Sequence, residues 1–205
     1  MPCDLTHENA LRLRGVETIA GIDEAGRGPH AGPVVASAVI LPAGFEHATL
    51  NDSKQLTELQ RERIYAELLE AAGIEWAVSV VEPDEIDRLN ILRASHEAMR
   101  RAFLALPRPP QHALIDGLPV RPFPAEHTAL VKGDSRSLSI AAASVIAKVT
   151  RDRLMLEADV QYPQYGFARH KGYATAFHLE KLTLHGPCPL HRRSFSPVAQ
   201  REFQF

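Results

Sequence analysis

Cysteine is scarce in this chain, since Cys3 and Cys188 are the only two thiols among 205 residues. The two residues have no CxxC spacing and are too few to form a disulfide framework, which favours a reducing compartment. Long apolar runs are also absent, and residues 1–15 lack the apolar core of a signal peptide. The sequence therefore excludes a disulfide-rich scaffold and a membrane-spanning protein, and it predicts a cytoplasmic protein.

An excess of charge of one sign is missing as well, because the net charge is only −2 at pH 7. This argues against a protein that coats nucleic acids without specificity. The average conceals a gradient, since basic residues outnumber acidic ones from Tyr165 onward. Such a tail fits a polyanion-binding face beside a metal site, and an unevenly charged solvated surface is the alternative. The basic residues of the tail are Arg169, Lys171, Lys181, Arg192, Arg193 and Arg201.

Apolar runs and breaking residues predict three strands followed by alternating helices and strands. This order favours an α/β sandwich with a mixed sheet, in which the part from Gln161 onward is an appendage. Thr57 and Gln60 form a capping-box pattern at the start of one helix, and a break is expected near Asn90 in the next. The predicted strands are 19–24, 33–41, 74–81, 112–117 and 128–134, and the predicted helices are 58–72, 84–106, 139–160 and 175–185.

Four acidic residues, Asp23, Glu24, Asp116 and Asp134, follow apolar strand-like runs. Ligands of open α/β sheets bind beyond strand ends, and carboxylates packed together there repel unless they are protonated or bridged by cations. Oxygen ligands favour Mg²⁺ or Mn²⁺, and two such ions about 3.5–4 Å apart activate water for phosphodiester hydrolysis. Because Asp23 and Glu24 are neighbours, a regular strand directs them to opposite faces. Helix caps or turn residues are the alternative interpretation for each acid.

The segment "GIDEAGRGPHAG" at residues 21–32 combines two of these acids with four glycines. Its first glycines have Walker spacing, but Arg27 and Gly28 stand where lysine and serine or threonine are required. Residues 26–31 also match GxGxxA, a pattern that must open a helix, whereas a strand follows in this sequence. Both nucleotide-loop interpretations are therefore excluded. What remains is a turn whose backbone N–H groups can approach an anion, with Arg27 beside it.

Five ordered blocks carry a resemblance to a known family. They are "GIDEAGRGPHAGPVVASAVIL", "NDSKQLT", "LIDG", "VKGDSRSLSIAAASVIAKVTRD" and "YPQYGFARHKGYATAFHLEKLTLHGPCPLHRRSF". In this order they resemble bacterial type 2 ribonuclease H (ribonuclease HII), over about residues 19–197. The resemblance implies a ribonuclease H-like α/β fold, with a mixed central sheet flanked by helices. It also implies one domain over residues 1–205, with an N-terminal extension over about 1–17 and a small helical C-terminal extension over about 161–205.

The same resemblance implies an endonuclease that cleaves RNA in RNA–DNA hybrids, including single ribonucleotides embedded in duplex DNA. Cleavage would occur 5′ to the ribonucleotide by two Mn²⁺ or Mg²⁺ ions, leaving 3′-hydroxyl and 5′-phosphate ends. The catalytic, metal-binding residues would be the four acids. Gly26, Arg27 and Gly28 would grip the backbone at a ribonucleotide followed by a deoxyribonucleotide. Tyr173 would pack on the sugar that lacks a 2′-hydroxyl.

Further substrate contacts are predicted at Lys54, Ser144, Lys148, His170 and Lys171, all of which lie within these blocks. For Lys54 the alternative is an exposed loop lysine, for Ser144 it is a small packing residue, and for Lys148 it is a pair with an acid. Two other expectations concern packing: Arg151 and Asp152 are assigned to a helix surface, and Tyr162, Tyr165 and Phe167 are assigned to the core.

Partners and rival functions complete the expectations. The protein is expected to be a monomer. Its final "QREFQF" faintly resembles glutamine-plus-aromatic peptides that dock on sliding clamps, but the aliphatic centre is missing, so a frayed terminus is the favoured interpretation. One rival is another nuclease or a transposase on the same fold. It is disfavoured because it needs no 2′-hydroxyl sensor such as the glycine turn with Tyr173. A second rival, a non-catalytic nucleic-acid-binding module, would gain from losing acids near phosphates.

Overall fold

Strands and helices follow one another in the predicted order in the computed structural model, which describes residues 3–201. The strands are β1 (Ile19–Ala25), β2 (Val34–Ile40), β3 (Glu75–Val81), β4 (His112–Asp116) and β5 (Glu126–Leu130). The helices are α1 (Thr6–Arg12), α2 (Glu58–Glu70), α3 (Pro83–Leu89), α4 (Ile91–Leu104), α5 (Leu138–Gln161), α6 (Phe167–His170), α7 (Ala176–His185) and α8 (Val198–Arg201).

The sheet is mixed, as predicted, and its strand order is β3-β2-β1-β4-β5. β1 pairs antiparallel with β2 and parallel with β4, and β5 continues the parallel half. Because parallel strands end at the same edge of a sheet, the carboxyl ends of β1 and β4 lie side by side. This topology brings the acids at the ends of the two strands to one edge.

Different helices cover the two faces of β1. Ile22 packs in a buried cluster with residues of α4. Gly21 faces α5 so closely that a Cβ atom built on it would overlap the backbone of Ser139. A side chain at this position would therefore push β1 and α5 apart. By the alternation of a strand, Asp23 shares the α5 face and Glu24 lies on the α4 face.

Helix boundaries follow local capping chemistry. The side chain of Thr57 accepts from the backbone N–H of Gln60 and the reciprocal bond is present, so the capping box at α2 is confirmed. The predicted break near Asn90 is confirmed too, because this residue has φ 68° and its side chain caps the start of α4 at Arg93. α2 ends at Glu70, two residues before the predicted end.

The prediction of a strand over 128–134 was wrong in its second half. β5 ends at Leu130, Lys132 has a left-handed φ of 56°, and Asp134 lies in a short 3-10 turn over Gly133–Ser135. A hydrogen bond connects this turn to the end of β4, since the Gly133 N–H donates to Asp116 Oδ1 at 2.7 Å. Asp134 is thus presented by a turn four residues beyond the strand.

The segment after α5 packs on the end of that helix and on the loop after β1. Tyr165 and Phe167 are buried there, as predicted, and Tyr162 is partly buried against them.

At the other end of α5, the buried Glu8 of α1 accepts hydrogen bonds from the hydroxyls of Ser137 and Ser139, both at 2.6 Å. The helices within residues 3–201 include none with both the length and the apolar character of a bilayer-spanning segment.

Candidate active site

Three carboxylates converge at the edge of the sheet. Asp23 comes from β1, Asp116 from the end of β4, and Asp134 from the turn after β5. One oxygen of each lies within 4.8 Å of one oxygen of the other two. Carboxylates this close form an all-oxygen donor set, which is the kind that hard divalent cations prefer.

The negative charges of the acids are unfavourable in the folded protein unless positive charge lies close to them. Burial, followed by Glu24 and Asp116, raises the pKa of Asp23 well above its usual value. Burial, followed by Asp116 and Asp52, also raises the pKa of Asp134. A raised carboxyl pKa means that the folded protein holds the negative charge at a cost. A divalent cation would offset that cost, so these residues fit a metal ion.

Glu24 is not among the three converging carboxylates, although its charge acts on Asp23. The β1–β2 register continues without interruption through Glu24 and Ala25, so no bulge turns the Glu24 side chain toward Asp23. Its Oε1 lies 3.3 Å from Arg27 Nη1. Burial raises the pKa of Glu24, although the nearby Arg27 acts in the opposite direction. Within the described residues, three of the four predicted ligands therefore converge, and Glu24 contributes to the neighbouring wall.

A cleft of about 280 Å³ opens beside the acids. Its walls combine acids, the glycine turn, an exposed lysine and an aromatic ring. This arrangement suits an extended anion that reaches a metal centre. The predicted residues among its walls are Asp23, Glu24, Gly26, Arg27, Gly28, Lys54, Ser144, Lys148 and Tyr173.

The lysines and Ser144 of the cleft have distinct surroundings. Lys54 Nζ lies 3.5 Å from Asp134 Oδ2. Partial burial would lower the pKa of Lys54, but Asp134 and Asp23 outweigh it and leave the pKa raised. Lys148 Nζ is 2.6 Å from Asp152 Oδ1, and burial lowers the pKa of Lys148 in spite of this partner. Ser144 is buried, and its Oγ accepts from the Ser53 N–H at 3.3 Å.

The glycine turn and Tyr173 form one side of the cleft together. Gly26 has φ +99°, a conformation that side-chain-bearing residues rarely adopt. The Tyr173 ring is the nearest neighbour of a Cβ atom built on Gly28, at 3.6 Å. The His30 N–H donates to the Gly172 carbonyl at 2.9 Å, which joins the loop to the segment that carries Tyr173.

Comparison with known proteins identifies the family. The family model for Ribonuclease HII matches residues 20–198. The chain belongs to the ribonuclease HII family. Ribonuclease HII from Geobacillus kaustophilus (strain HTA426) is 53% identical over 196 residues, covering 96% of this chain and 75% of the relative. Ribonuclease HII from Bacillus cereus (strain G9842) is similarly close, at 52% identity over 94% of this chain and 74% of the relative.

Solved structures agree with the ribonuclease HII assignment. The ribonuclease H2 from Pyrococcus horikoshii OT3 superposes with a TM-score of 0.76 at 29% identity, over 90% of this chain and 97% of that one. RNase HII of a PCNA:RNase HII complex from Archaeoglobus fulgidus gives 0.68 at 26% identity, over 87% and 95%. Bst-RNase HIII in complex with Mn²⁺ gives 0.69 at 22% identity, over 89% and 68%, which supports the fold alone.

Membership of the ribonuclease HII family settles the broad activity. The chain is a divalent-metal-dependent endoribonuclease of the ribonuclease H type, which acts on RNA–DNA hybrids. The predicted ribonuclease H-like α/β fold is confirmed. The acidic cluster of Asp23, Asp116 and Asp134 is consistent with the metal dependence.

Two predicted substrate contacts of this ribonuclease HII lie away from the cleft walls. His170 is buried, its Nε2 lies 2.9 Å from the Tyr165 carbonyl oxygen, and its Nδ1 accepts from the Gly172 N–H. The Lys171 ammonium donates to the Ala168 carbonyl at 2.5 Å. Both side chains are engaged within the protein, so the structure favours a supporting position behind Tyr173 over direct substrate contact.

The assignment of Arg151 and Asp152 to a helix surface was wrong, since both are buried, and Arg151 is only 1% exposed. Arg192, predicted only as part of a basic tail, is fully buried as well. Arg151 and Arg192 donate to backbone carbonyls of the loop between β1 and β2. No local pattern marks these roles, because the loop carbonyls that accept from the two arginines are more than a hundred residues away in the chain.

Proposed function

We propose that this ribonuclease HII incises duplex DNA at single embedded ribonucleotides as well as cleaving RNA–DNA hybrids. The incision is placed 5′ to the ribonucleotide and leaves 3′-hydroxyl and 5′-phosphate ends. The observation that carries the proposal is the common cleft, in which Asp23 lies beside the glycine turn and Tyr173. A nuclease that ignored the sugar would not need this turn and ring beside its acids.

Asp23, Asp116 and Asp134 are proposed to hold Mn²⁺ or Mg²⁺, two ions during catalysis, with Glu24 assisting from the adjacent wall. The donor chemistry supports either ion, since both prefer carboxylate oxygens. When bound, such ions lower the pKa of a water molecule and stabilise the charge on the leaving oxygen. The four acids thereby act as the catalytic residues.

Recognition of the ribonucleotide is assigned to the turn at Gly26, Arg27 and Gly28. Backbone N–H groups in a tight glycine turn can approach a sugar closely and donate to its 2′-hydroxyl or to a phosphate oxygen. Tyr173 is assigned the next sugar: the residue is 47% exposed and its ring faces Gly28, so an added hydroxyl on that sugar would meet the ring. Together, the glycine turn and the Tyr173 ring are proposed to select a ribonucleotide followed by a deoxyribonucleotide.

Other cleft residues are proposed to act on the phosphates and on the acids. The Lys54 side chain is 78% exposed and can reach a phosphate while staying close to Asp134. Lys148 and Ser144 line the same cleft from α5 and are proposed to contact the substrate. His170 and Lys171 are proposed to act indirectly, by fixing the segment before Tyr173.

Cleavage of three labelled duplexes tests the proposal. One is all-DNA, one carries a single ribonucleotide, and one is an RNA–DNA hybrid, each with Mg²⁺ or Mn²⁺ and with an EDTA control. We expect cutting of the second and third duplexes, abolished by EDTA and by Asp134→Asn. We expect Tyr173→Ala to impair the single-ribonucleotide duplex more than the hybrid, whereas Tyr173→Phe, which keeps the ring, preserves both.

The other outcomes discriminate between the rival functions. Cutting of the hybrid alone would contradict the role given to Gly26–Gly28 and Tyr173. Equal cutting of all-DNA would favour another nuclease on the same fold. Tight binding of folded protein with no cutting at all would contradict the catalytic roles given to the four acids.

Partners and location stay predictions. The Archaeoglobus fulgidus structure is of a complex between RNase HII and PCNA. In this chain, the predicted clamp-docking segment at residues 200–205 lies outside the residues whose side chains are described. A monomeric state and a cytoplasmic location are proposed on sequence grounds. The sequence gives little support to a clamp contact through that segment, because the aliphatic centre of a docking peptide is missing.

A further inference from the structure

Two buried arginines lie against the glycine turn: Arg151 also lines the cleft, whereas Arg192 does not. Arg151 is 1% exposed and Arg192 is 0% exposed. None of the ion pairs within 4.0 Å among the described residues involves either guanidinium. Buried arginines are usually paired with carboxylates, because an isolated buried charge is costly. Their position therefore requires an explanation.

Arg192 directs its donors to the carbonyls of the turn. Its Nη2 donates to Gly26 O at 2.5 Å, and its Nη1 donates to Arg27 O at 3.0 Å. Its Nε and Nη2 both donate to Gly32 O, at 3.0 and 2.8 Å. One planar guanidinium therefore holds the start of the loop, at Gly26 and Arg27, in a fixed position relative to its end, at Gly32.

Arg151 holds the rest of the loop in the same way. Its Nε donates to Pro33 O at 2.9 Å and its Nη2 donates to Ala31 O at 3.2 Å. Its Nη1 donates to Lys171 O at 3.0 Å, two residues before Tyr173. Arg151 therefore connects the loop, α5 and the segment that carries the ring.

The carbonyl contacts decide where the amides of the turn point. In a trans peptide, the C=O of one residue and the N–H of the next point in opposite directions. Since the carbonyls of Gly26 and Arg27 face Arg192, the N–H groups of Arg27 and Gly28 face away from it. Arg192 is absent from the walls of the cleft that Gly26–Gly28 line, so these amides lie on the cleft side. Neither amide has an acceptor within residues 3–201.

The buried charges have a second effect on the same side of the turn. Burial, together with the nearby Arg151, lowers the pKa of Arg192 to about 9, and burial lowers the pKa of Arg151 to about 10. Both therefore remain cationic at neutral pH. Because no ion pair within residues 3–201 neutralises them, the two cations attract an anion to the exposed side of the turn.

We propose that Arg192, supported by Arg151, is a positioning residue that presents the Arg27 and Gly28 amides to the ribonucleotide and draws the anionic backbone onto the turn. The inference rests on the proposed recognition of single ribonucleotides. Arg192 touches neither the acids nor the cleft, so it acts through the turn.

The test measures binding preference in the full chain carrying Asp134→Asn, so that no strand is cut. Fluorescence anisotropy with Mg²⁺ gives the Kd for an all-DNA duplex and for the same duplex with one ribonucleotide. Arg192→Lys keeps the positive charge but loses the planar guanidinium that bonds several carbonyls at once. The ratio of the Kd for the all-DNA duplex to the Kd for the ribonucleotide duplex is therefore expected to fall about three- to tenfold, as for loss of one or two hydrogen bonds. Arg192→Gln also removes the charge, so its affinity for both duplexes is expected to fall.

Tyr165→Phe is the matched control. It removes the hydrogen bond from Tyr165 Oη to Gly186 O, 2.7 Å long, in the same C-terminal segment without touching the turn. Its preference is expected to equal that of the parent. A purely structural role of Arg192 predicts instead that Arg192→Lys weakens both duplexes equally, leaving the ratio unchanged.

Ribonucleotide recognition and the role of Arg192 fail in different ways. If the parent with intact Arg192 shows no preference, the proposed recognition is wrong, and the inference falls with it. If the parent discriminates and Arg192→Lys discriminates equally well, only the inference is overturned. Thermal melting reports whether each variant folds; should Arg192→Lys not fold, Arg151→Lys is measured, and an unchanged ratio there overturns the inference.

Discussion

The ring of Tyr173 stands directly over Gly28: a methyl group at Gly28 would lie 3.6 Å from Cε1 of the ring, with no other described residue beyond its chain neighbours within 4 Å. The two residues are 145 positions apart, and the bond from the His30 N–H to Gly172 O holds their segments together. A residue without a side chain thus faces an exposed ring at the mouth of the cleft. We place the junction between ribonucleotide and deoxyribonucleotide in the space between them.

Gly28→Ala separates folding from recognition. The added methyl group meets the ring at an ordinary contact distance, so we expect the free energy of unfolding to change by about 0.5 kcal/mol or less. The same methyl group narrows the proposed sugar site, so cleavage at a single ribonucleotide is expected to fall strongly. Urea unfolding and cleavage kinetics measure the two effects; normal cleavage would contradict the assignment of this site.

Gly26→Ala provides the contrast. Gly26 has φ +99°, and its Cβ atom would overlap Arg151 Nε and lie 2.6 Å from Pro33 O. We expect a loss of about 1–3 kcal/mol in the free energy of unfolding, together with loss of activity. Both alanine variants are therefore expected to lose cleavage activity, but only Gly26→Ala is expected to unfold at a clearly lower urea concentration. A variant as stable as wild type would contradict this description of the turn.

Asp23→Asn is expected to stabilise the metal-free protein while abolishing cleavage. The pKa of Asp23 is raised by burial and by Glu24 and Asp116, so its negative charge weakens the folded state at neutral pH. In EDTA at pH 7.5 we expect a gain on the order of 1 kcal/mol, or about 2–4 °C in Tm for a chain of this size. Added Mn²⁺ should raise the Tm of wild type more than that of the variant.

Exposed Asp84, paired with Arg88 on α3, supplies the control for that measurement. Asp84→Asn is expected to leave both the Tm and the cleavage rate nearly unchanged. A lower Tm for Asp23→Asn in EDTA would mean that the Asp23 charge is compensated within the folded chain, and would contradict the need for a cation at this site.

Buried His178 and His191 form a chain of hydrogen bonds that leaves no place for an added proton. His178 Nδ1 lies 2.8 Å from the Tyr173 carbonyl, so it must donate, and His178 Nε2, 3.1 Å from His191 Nε2, must accept. His191 Nδ1 accepts from the Cys188 N–H at 3.0 Å. Both rings are therefore neutral when the network is intact.

This network predicts a loss of stability in acid. Burial lowers the pKa of both His178 and His191 to about 4, against an ordinary value of 6.5. Between pH 6.5 and 4 the unfolded chain binds protons that the folded chain does not, so stability falls as the pH falls. The slope is at most about 1.4 kcal/mol per pH unit for each histidine.

Urea unfolding of wild type and His191→Gln between about pH 7.5 and 4.5 measures this effect, because contributions from the carboxylates largely cancel in the difference. We expect a smaller decline in the variant. Equal declines in the two proteins would show that this pair does not govern the acid sensitivity.

Much of the fold was predictable because it follows local chemistry. Thr57 and Gln60 mark a helix start, and Asn90 supplies a break by adopting a left-handed backbone conformation that asparagine tolerates better than most residues. Apolar runs that end in acids marked Asp23 and Asp116 as candidates for one site, and it is the parallel pairing of β1 and β4 in the structure that places those ends together.

What the sequence did not reveal depends on contacts between distant segments. Arg192 is buried because carbonyls 160 and more positions away accept its donors, and no periodicity encodes that. His170 is the first residue of "HKGY" (residues 170–173), which ends on Tyr173, but its ring turns inward to the Tyr165 carbonyl. Glu24 was predicted as a metal ligand next to Asp23, which in a regular strand directs its side chain to the opposite face; the register of β1 continues through Glu24 without a bulge.

The position and chemistry of a single cut test the central claim most directly. A duplex with one ribonucleotide, labelled at the 5′ end of that strand, is incubated with Mg²⁺ and with enough protein for one turnover, and the product is compared with synthetic markers. We predict a cut on the 5′ side of the ribonucleotide and a 3′-hydroxyl end that a polymerase can extend. A cut on the 3′ side that leaves a 2′,3′-cyclic phosphate would mean that the 2′-hydroxyl is the nucleophile. It would contradict an active site in which metal ions held by the acids activate water and the glycine turn recognises the sugar.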